Sequence, residues 1–454
     1  MTRTRFIVRV AAGLWVGWLS CLPAYAIDLR SDLSVLGQVR QSDHPDQSEA
    51  PVDFYGNLGA RGLYGGSSLD TYFRLEQDLA HSQGATEFYA GSLRVPGAIP
   101  GVDFTLGRQF LAEGPGGVFI ADAGKVNINP GGPVGVTIFG GAPRYFEPTY
   151  SSNSLSQDEQ IFGGNLHTTR MKDGRFSLGF FEQRRDSHTL RELLTAAGSR
   201  AFPRLPGMPN VYGSFAMDTR HQNIDSGTLG FDTFVWQPRV QLNFESSYYK
   251  PQNQGEYLIA DMNRREDPIF ELFSLSEMRQ FRGGLRYAVT RTLSTFGDYS
   301  YQRYERLDHN VVEGHVGSAG LLWLPGGDGL EVVRLEYYVL DSAGGNVNGG
   351  KIYYESRVYH RILFRTKFNV AYYKKETNED DTALTGMLGI GYVICPGLVG
   401  ELDFEANHNK RFAEDYRFGF SIRYNFDSRN LRRAQSQAAT KTDSAEPTAG
   451  RPVS

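Results

Sequence analysis

In segment 361–374, Ile362, Phe364, Phe368, Val370 and Tyr372 fall on one parity, and Arg365, Lys367 and Asn369 fall on the other. The same alternation recurs along the chain. Val333, Leu335, Tyr337 and Val339 oppose Arg334 and Glu336. Val240, Leu242, Phe244 and Tyr248 oppose Gln241, Asn243 and Glu245. Leu69, Phe73, Leu75 and Leu79 oppose Asp70, Arg74, Glu76 and Asp78, and Leu398, Leu402 and Phe404 oppose Glu401, Asp403 and Glu405. A period of two places the two sets on opposite faces of a β-strand. Sustained over about ten residues, it is the pattern of a strand with one face to lipid and the other to water.

A soluble β-sandwich or β-propeller would alternate as well. Two features favour a membrane-spanning barrel. The segments run close to ten residues, against about five or six for ordinary strands. Their connections also alternate in length. Short links occur at Trp236-Gln237-Pro238, Thr290-Arg291-Thr292, Pro325-Gly326-Gly327-Asp328-Gly329, Tyr359-His360 and Cys395-Pro396-Gly397. Longer polar links, 251–278, 305–313, 342–350, 375–381 and 408–413, lie between them. Short turns on one side of a membrane and longer loops on the other are expected of such barrels.

About nineteen segments qualify as strands, whereas both ends on one side of the membrane require an even number. Counting Pro133–Gly140 as a spanning strand puts the long 141–157 connection on the short-turn side. Reading 111–157 as one long loop restores the alternation. The expected fold is therefore all-β, a transmembrane antiparallel up-and-down β-barrel of about 18 strands, with about 16 as the alternative. Segment 187–223 reads as a long outer loop, with a helical turn at Leu190-Arg191-Glu192-Leu193-Leu194 and with Pro203, Pro206 and Pro209 opposing a strand. Segment 252–277 is expected to carry a short helix around Ile269–Phe273.

The last alternating segment is Arg417-Phe418-Gly419-Phe420-Ser421-Ile422-Arg423-Tyr424-Asn425-Phe426. It resembles the closing strand of bacterial outer-membrane β-barrels, a glycine followed by spaced apolar residues and a final aromatic. The resemblance implies an assembly signal at Gly419, Ile422, Tyr424 and Phe426, read by the barrel assembly machinery, and a barrel set in outer-membrane lipid. Such closing strands normally end the chain, whereas here 427–454 follows. That tail has no aromatic residue, is rich in Ala, Ser, Thr, Arg and Asp, and is expected to be disordered in the periplasm.

Phe104-Thr105-Leu106-Gly107-Arg108-Gln109-Phe110 resembles the strand before the inward-folded loop of Gram-negative porins. The Gly-rich Glu113-Gly114-Pro115-Gly116-Gly117 and then Ile120–Lys125 resemble the loop itself. The resemblance implies a constriction with Glu113 and Asp122 as loop acids, Arg108 as a facing base and Lys125 beside them. Strict parity from Phe104 and Leu106 places Arg108 on the lipid side, so a bulge or a position above the bilayer is required. The other reading is that Arg108 ends a strand at the membrane interface.

Composition sharpens this picture. The 454 residues include 25 Tyr, 29 Phe, 4 Trp and 52 Gly, at a mean hydropathy of −0.39. Arg3, Arg5 and Arg9, an apolar run from Ala11 to Leu22 and the small-x-small site Ala24-Tyr25-Ala26 form a secretory signal peptide, 1–26. The barrel then spans 27–426. Cleavage removes three of 47 basic residues, leaving 44 against 51 acidic ones and a formal charge of −7. That balance argues against nucleic acid as a partner. Cys395 is the only cysteine left, and no Cys-x-x-Cys-His occurs, so neither a disulfide, a cysteine metal cluster nor a covalently attached haem is expected.

Charged residues on the polar parity belong inside, because Lys or Arg on the lipid face near the midplane costs about 2–4 kcal/mol. Asp70, Arg74, Glu76, Glu245, Arg282, Arg286, Arg334, Glu336, Arg357, Arg365, Lys367, Glu401, Asp403 and Glu405 are accordingly assigned to the lumen. No His-Glu-x-x-His or Gly-x-Ser-x-Gly is present, no catalytic set or cofactor is expected, and lone histidines such as His221 and His360 read as surface polarity rather than metal ligands. The resemblance implies a porin-like channel for small hydrophilic solutes or ions, with a homo-trimer as a common assembly. Two alternatives stay open. One is a sheath holding multihaem cytochromes in contact across the outer membrane, with the tail's Arg429, Arg432 and Arg433 available for docking. The other is an uptake channel specific to one solute.

Overall fold

A computed structural model describes residues 27–42, 50–80, 83–112, 119–144, 159–185, 188–236, 238–250, 277–305, 311–326, 330–342, 345–374, 380–409 and 414–428. The expected leader 1–26, Glu113, the 252–277 segment up to residue 276 and the expected tail beyond 428 lie outside these residues. Twenty-two strands form one sheet. The first eleven are β1 (Asp28–Ser42), β2 (Pro51–Arg61), β3 (Ser68–Asp78), β4 (Gln83–Ile99), β5 (Val102–Leu111), β6 (Phe119–Ile128), β7 (Val134–Arg144), β8 (Glu159–Thr168), β9 (Gly174–Arg185), β10 (His188–Ala201) and β11 (Asn210–Asp218). The others are β12 (Asn223–Trp236), β13 (Val240–Tyr249), β14 (Glu277–Ala288), β15 (Leu293–Glu305), β16 (Val311–Trp323), β17 (Glu331–Ser342), β18 (Gly345–Val358), β19 (Ile362–Lys374), β20 (Asp380–Cys395), β21 (Leu398–His408) and β22 (Asp415–Asp427).

Each strand pairs antiparallel with its neighbours in the chain, and β1 pairs with β22 from Arg30↔Asp427 to Ser42↔Asp415. The sheet is thus an up-and-down barrel with no free edge, which leaves no row of unpaired backbone groups. Among the described residues no helix is long and apolar enough to cross a membrane.

The strand number corrects the expected eighteen, and also the alternative of sixteen. The four additional strands lie in the two stretches read as loops: β6 and β7 within 111–157, and β10 and β11 within 187–223. In β6 and β7 the alternation is blurred by small residues, Ala121, Ala123, Gly140, Gly141 and Ala142, and by Asp122 and Arg144 on the apolar parity. In β10 a register shift between Thr189 and Arg191 breaks the period and gives the leucines a helix-like spacing. The three prolines fall in the 202–209 turn rather than in a strand. With β6 counted, Pro133–Gly140 no longer upsets the alternation of connections. There is accordingly no single inward loop over 111–157; Ile120 to Lys125 are part of the wall.

The outer face is the apolar one. Leu388 is 53% exposed, Ile390 55%, Leu402 49%, Phe418 48% and Ile422 46%, each alternating with a polar or small residue. Several exposed tryptophans and tyrosines stand at the strand ends. Trp236, Trp323, Tyr392 and Tyr424 stand near the short turns, and Tyr372 and Tyr416 near the opposite rim. An apolar band between aromatic girdles is the surface of a barrel set in a bilayer. On the inner parity of β5–β11 lies a separate buried patch that includes Leu111, Ala121, Phe139, Ile161, Phe181, Leu193 and Ala216, with Phe119 stacked on Phe181 at 5.0 Å.

Candidate functional site

The parity opposite the exposed apolar residues forms the inner wall, and its charges meet across strands. On β2–β4, Arg74 lies 2.8 Å from Asp53, 3.0 Å from Glu76 and 3.4 Å from Glu87, with its guanidinium over the Tyr55 ring. Tyr89 donates a short hydrogen bond to Glu87 and stacks on Tyr72. Cross-strand spacing on one face brings Asp53 and Glu87 to the guanidinium, and Glu76 follows on the same face two residues along β3.

A second network spans β19, β21, β22 and β1. Glu401 accepts from Arg365 at 2.6 Å and from the Ser421 hydroxyl at 3.3 Å, with Arg423 at 3.6 Å. Arg417 bridges Glu405 and Asp415, and Asp415 also accepts from Arg40 at 2.9 Å. Gly419 lies in this network: a Cβ there would press into the Asp403 carboxylate. Glycine therefore keeps β22 close to the acid row of β21.

On β13–β18, Glu336 takes Arg334 at 2.6 Å and Lys351 at 2.8 Å, and Arg334 stacks over Phe296 at 4.7 Å. Glu245 accepts from the Tyr212 hydroxyl at 2.9 Å, and Arg282 lies 3.6 Å from Asp298. Arg286, Arg357 and Lys367 stand on the same polar parity, and among the described residues their side chains form no ion pair or hydrogen bond. Asp70 and Asp403 share that parity too. The wall thus carries both signs, many of them paired locally, with charges of either sign left over among the described residues.

Of the residues expected to form a constriction, Arg108 and Asp122 are brought together, but on the outer face rather than in the lumen. Arg108 and Asp122 are direct cross-strand partners on the apolar parity, between the exposed Leu106 and Phe110. Arg108 Nε lies 2.7 Å from Asp122, its Nη1 donates to the Phe88 carbonyl at 2.7 Å, and its guanidinium rests on the Phe88 ring. Arg144 closes on the same carboxylate from β7. Lys125 stands on the opposite, inner parity beside Phe139, and Glu113 is outside the described residues. Arg108 stays on the parity of Leu106 and Phe110, and the strands do not turn it with Asp122 into the lumen.

Sequence reasoning missed Asp53, Glu87, Arg144 and Asp232, and the inner-wall tyrosines. Asp232 was legible in principle, since it lies on the parity opposite Leu229 and Phe231 in β12. The others became partners only once registers were known. No group of three or more metal-ligating side chains exists among the described residues.

No family model matches the chain, and no curated protein matches it. Among solved structures, it is similar to a BenF-like porin from Pseudomonas fluorescens Pf-5, at 9% identity and a TM-score of 0.47 over 88% of this chain and 99% of the other. It is also similar to OccK3 (OpdO) of Pseudomonas aeruginosa, at 11% identity and a TM-score of 0.44 over 88% and 96%. A structure of OpdK of Pseudomonas aeruginosa with vanillate matches at 9% identity and 0.44 over 88% and 99%. The strand pairing itself, closed, antiparallel, even in number and apolar outside, decides the architecture. The protein is an outer-membrane-type β-barrel.

Proposed function

We propose that this barrel is a porin-like channel of the outer membrane, passing small hydrophilic solutes or ions along its charged inner wall. The observation that carries this reading is the separation of faces: an exposed apolar belt outside, and inside a wall of paired charges with Arg286, Arg357 and Lys367 unengaged among the described residues. Twenty-two strands enclose far more space than a side-chain-filled barrel, and rings of wall charge set ion preference in such pores. Purified protein in a planar lipid bilayer is expected to give ohmic conductance steps. A bilayer that stays sealed at saturating protein would remove the channel reading.

A second reading draws on the same width. A barrel of this size can enclose a partner, as the plugged lumens of large outer-membrane barrels do. A sheath around multihaem cytochromes would then be a conduit for electrons rather than solutes. Gentle extraction from the native membrane distinguishes the two: haem absorbance co-eluting with the barrel supports the sheath, and a colourless, conducting barrel rejects it.

A further inference from the structure

One recess of the inner wall has a charge pattern that a simple pore does not need. It holds about 280 Å³ and lies against β12–β17. Its lining is ordered by strand register into two rows. In one row Asp232 is opposite Asn243, Asn243 is opposite Gly284, and Gly284 is opposite Asp298. In the other, two residues nearer the short turns, Gln241 is opposite Arg286 and Arg286 is opposite Phe296. Arg334 leans onto the Phe296 ring from β17. An acid row and a basic row thus run side by side, separated at the backbone by about 7 Å, the repeat of one strand face.

The engaged and unengaged charges differ. Asp298 has Arg282 near it, and Arg334 has Glu336. Asp232 and Arg286 have neither a hydrogen bond nor an ion pair among the described residues. They also do not reach each other, being two strands apart and in different rows. Gly284, between them, keeps the floor of the recess open: a Cβ there would run into the Asn243 amide and the Asp298 carboxylate.

We infer that this recess binds a small zwitterionic solute of the α-amino-acid class, with its ammonium on Asp232, its carboxylate on Arg286 and its side chain against Phe296. A plain anion would meet Asp232 and Asp298 as well as the guanidinia. A plain cation would meet Arg286 and Arg334. Only a dipolar molecule satisfies both rows, and the Asn243 and Gln241 amides can donate to or accept from either end. The substrate class named here rests on the channel reading; occupancy of the recess does not.

The test uses the full-length protein and three matched probes: L-phenylalanine, 3-phenylpropionate and phenethylamine. In planar bilayers, L-phenylalanine is expected to interrupt the current in a concentration-dependent way, with the other two weaker by about tenfold or more, the scale of one lost charge-assisted contact. D232N and R286Q should each weaken the L-phenylalanine block by a similar factor. Block by 3-phenylpropionate as strong as by L-phenylalanine, and unchanged in D232N, would overturn the inference in favour of an anion site. Ohmic conductance with no block by any probe would also overturn it while the channel reading stands. If the bilayer stays sealed, equilibrium dialysis of labelled L-phenylalanine against detergent-solubilised protein decides: saturable binding lost in R286Q supports the recess, and no binding rejects it.

Discussion

Arg108 and Asp122 face each other across β5 and β6 on the lipid side of the barrel, 2.7 Å apart, with apolar residues on both sides along the strand. Arg144 shares the same carboxylate. Bare cations in this band would be costly, by about 2–4 kcal/mol at the midplane and less toward the interfaces. The carboxylate between them offsets that cost, and the Phe88 ring covers one guanidinium. Removing one partner from such a cluster leaves the others desolvated, whereas replacing the whole cluster by apolar residues does not. Asp122→Leu is therefore expected to destabilise the folded barrel by roughly 2–4 kcal/mol. The triple replacement of Arg108, Asp122 and Arg144 by leucine is expected to be neutral or stabilising. Urea titration of the barrel in detergent or lipid, followed by the heat-dependent gel shift of the folded form, measures both.

How far the chain could be read by eye follows from the same residues. Strands with a clean period of two, such as β19, β21 and β22, carry their inner and outer faces openly in the order of residues. The strands that escaped notice each break that rule for a local reason. Asp122 and Arg144 are polar on the apolar side because they neutralise each other through space, and a single segment does not reveal its cross-strand partner. Leu193 and Leu194 point to opposite faces after the shift at Thr189, one buried and one exposed. The networks around Arg74 and Glu401 were half legible: their members were assignable to the polar side, but which carboxylate meets which guanidinium depends on register, set by long ladders such as the ten pairs of β1–β2 and the eleven of β2–β3.

The contact of Gly419 with Asp403 bears on assembly of the last strand. A methyl group at residue 419 meets the carboxylate of β21, which must move or be desolvated. Gly419→Ala is expected to cost about 1–2 kcal/mol, the range for overpacking a tight site. Pairing it with Asp403→Gly should recover most of that loss. The yield of heat-modifiable barrel in the outer membrane, compared for the two single variants and the double variant, checks this; a double variant as poor as Gly419→Ala alone would place the cause elsewhere.

Glu401 holds two guanidinia and a hydroxyl on the inner wall, and its side chain is only 8% exposed. Glu401→Gln removes the negative charge and leaves Arg365 and Arg423 without it. The expected stability loss is about 1–3 kcal/mol, as for a buried donor left unsatisfied. The more specific consequence is electrical: the wall gains one net positive charge, so the reversal potential across a potassium chloride gradient should move toward chloride preference. Arg423→Gln is expected to move it the other way. Parallel shifts in both variants would contradict a pore lined by these groups.

The division into inner and outer faces is testable residue by residue on β19. Lys367 stands on the polar parity, and its neighbour Phe368 is 48% exposed on the apolar one. In a Cys395→Ser background, Lys367→Cys should react with a charged, membrane-impermeant methanethiosulfonate added to a conducting barrel, and the current should fall in steps. Phe368→Cys should be inert to the same reagent in a bilayer and become reactive only with a lipid-soluble maleimide, because lipid rather than water covers that position. Reaction of Phe368→Cys with the charged reagent at the rate of Lys367→Cys would mean that both faces of the strand are wet, which no membrane-embedded barrel of this topology allows.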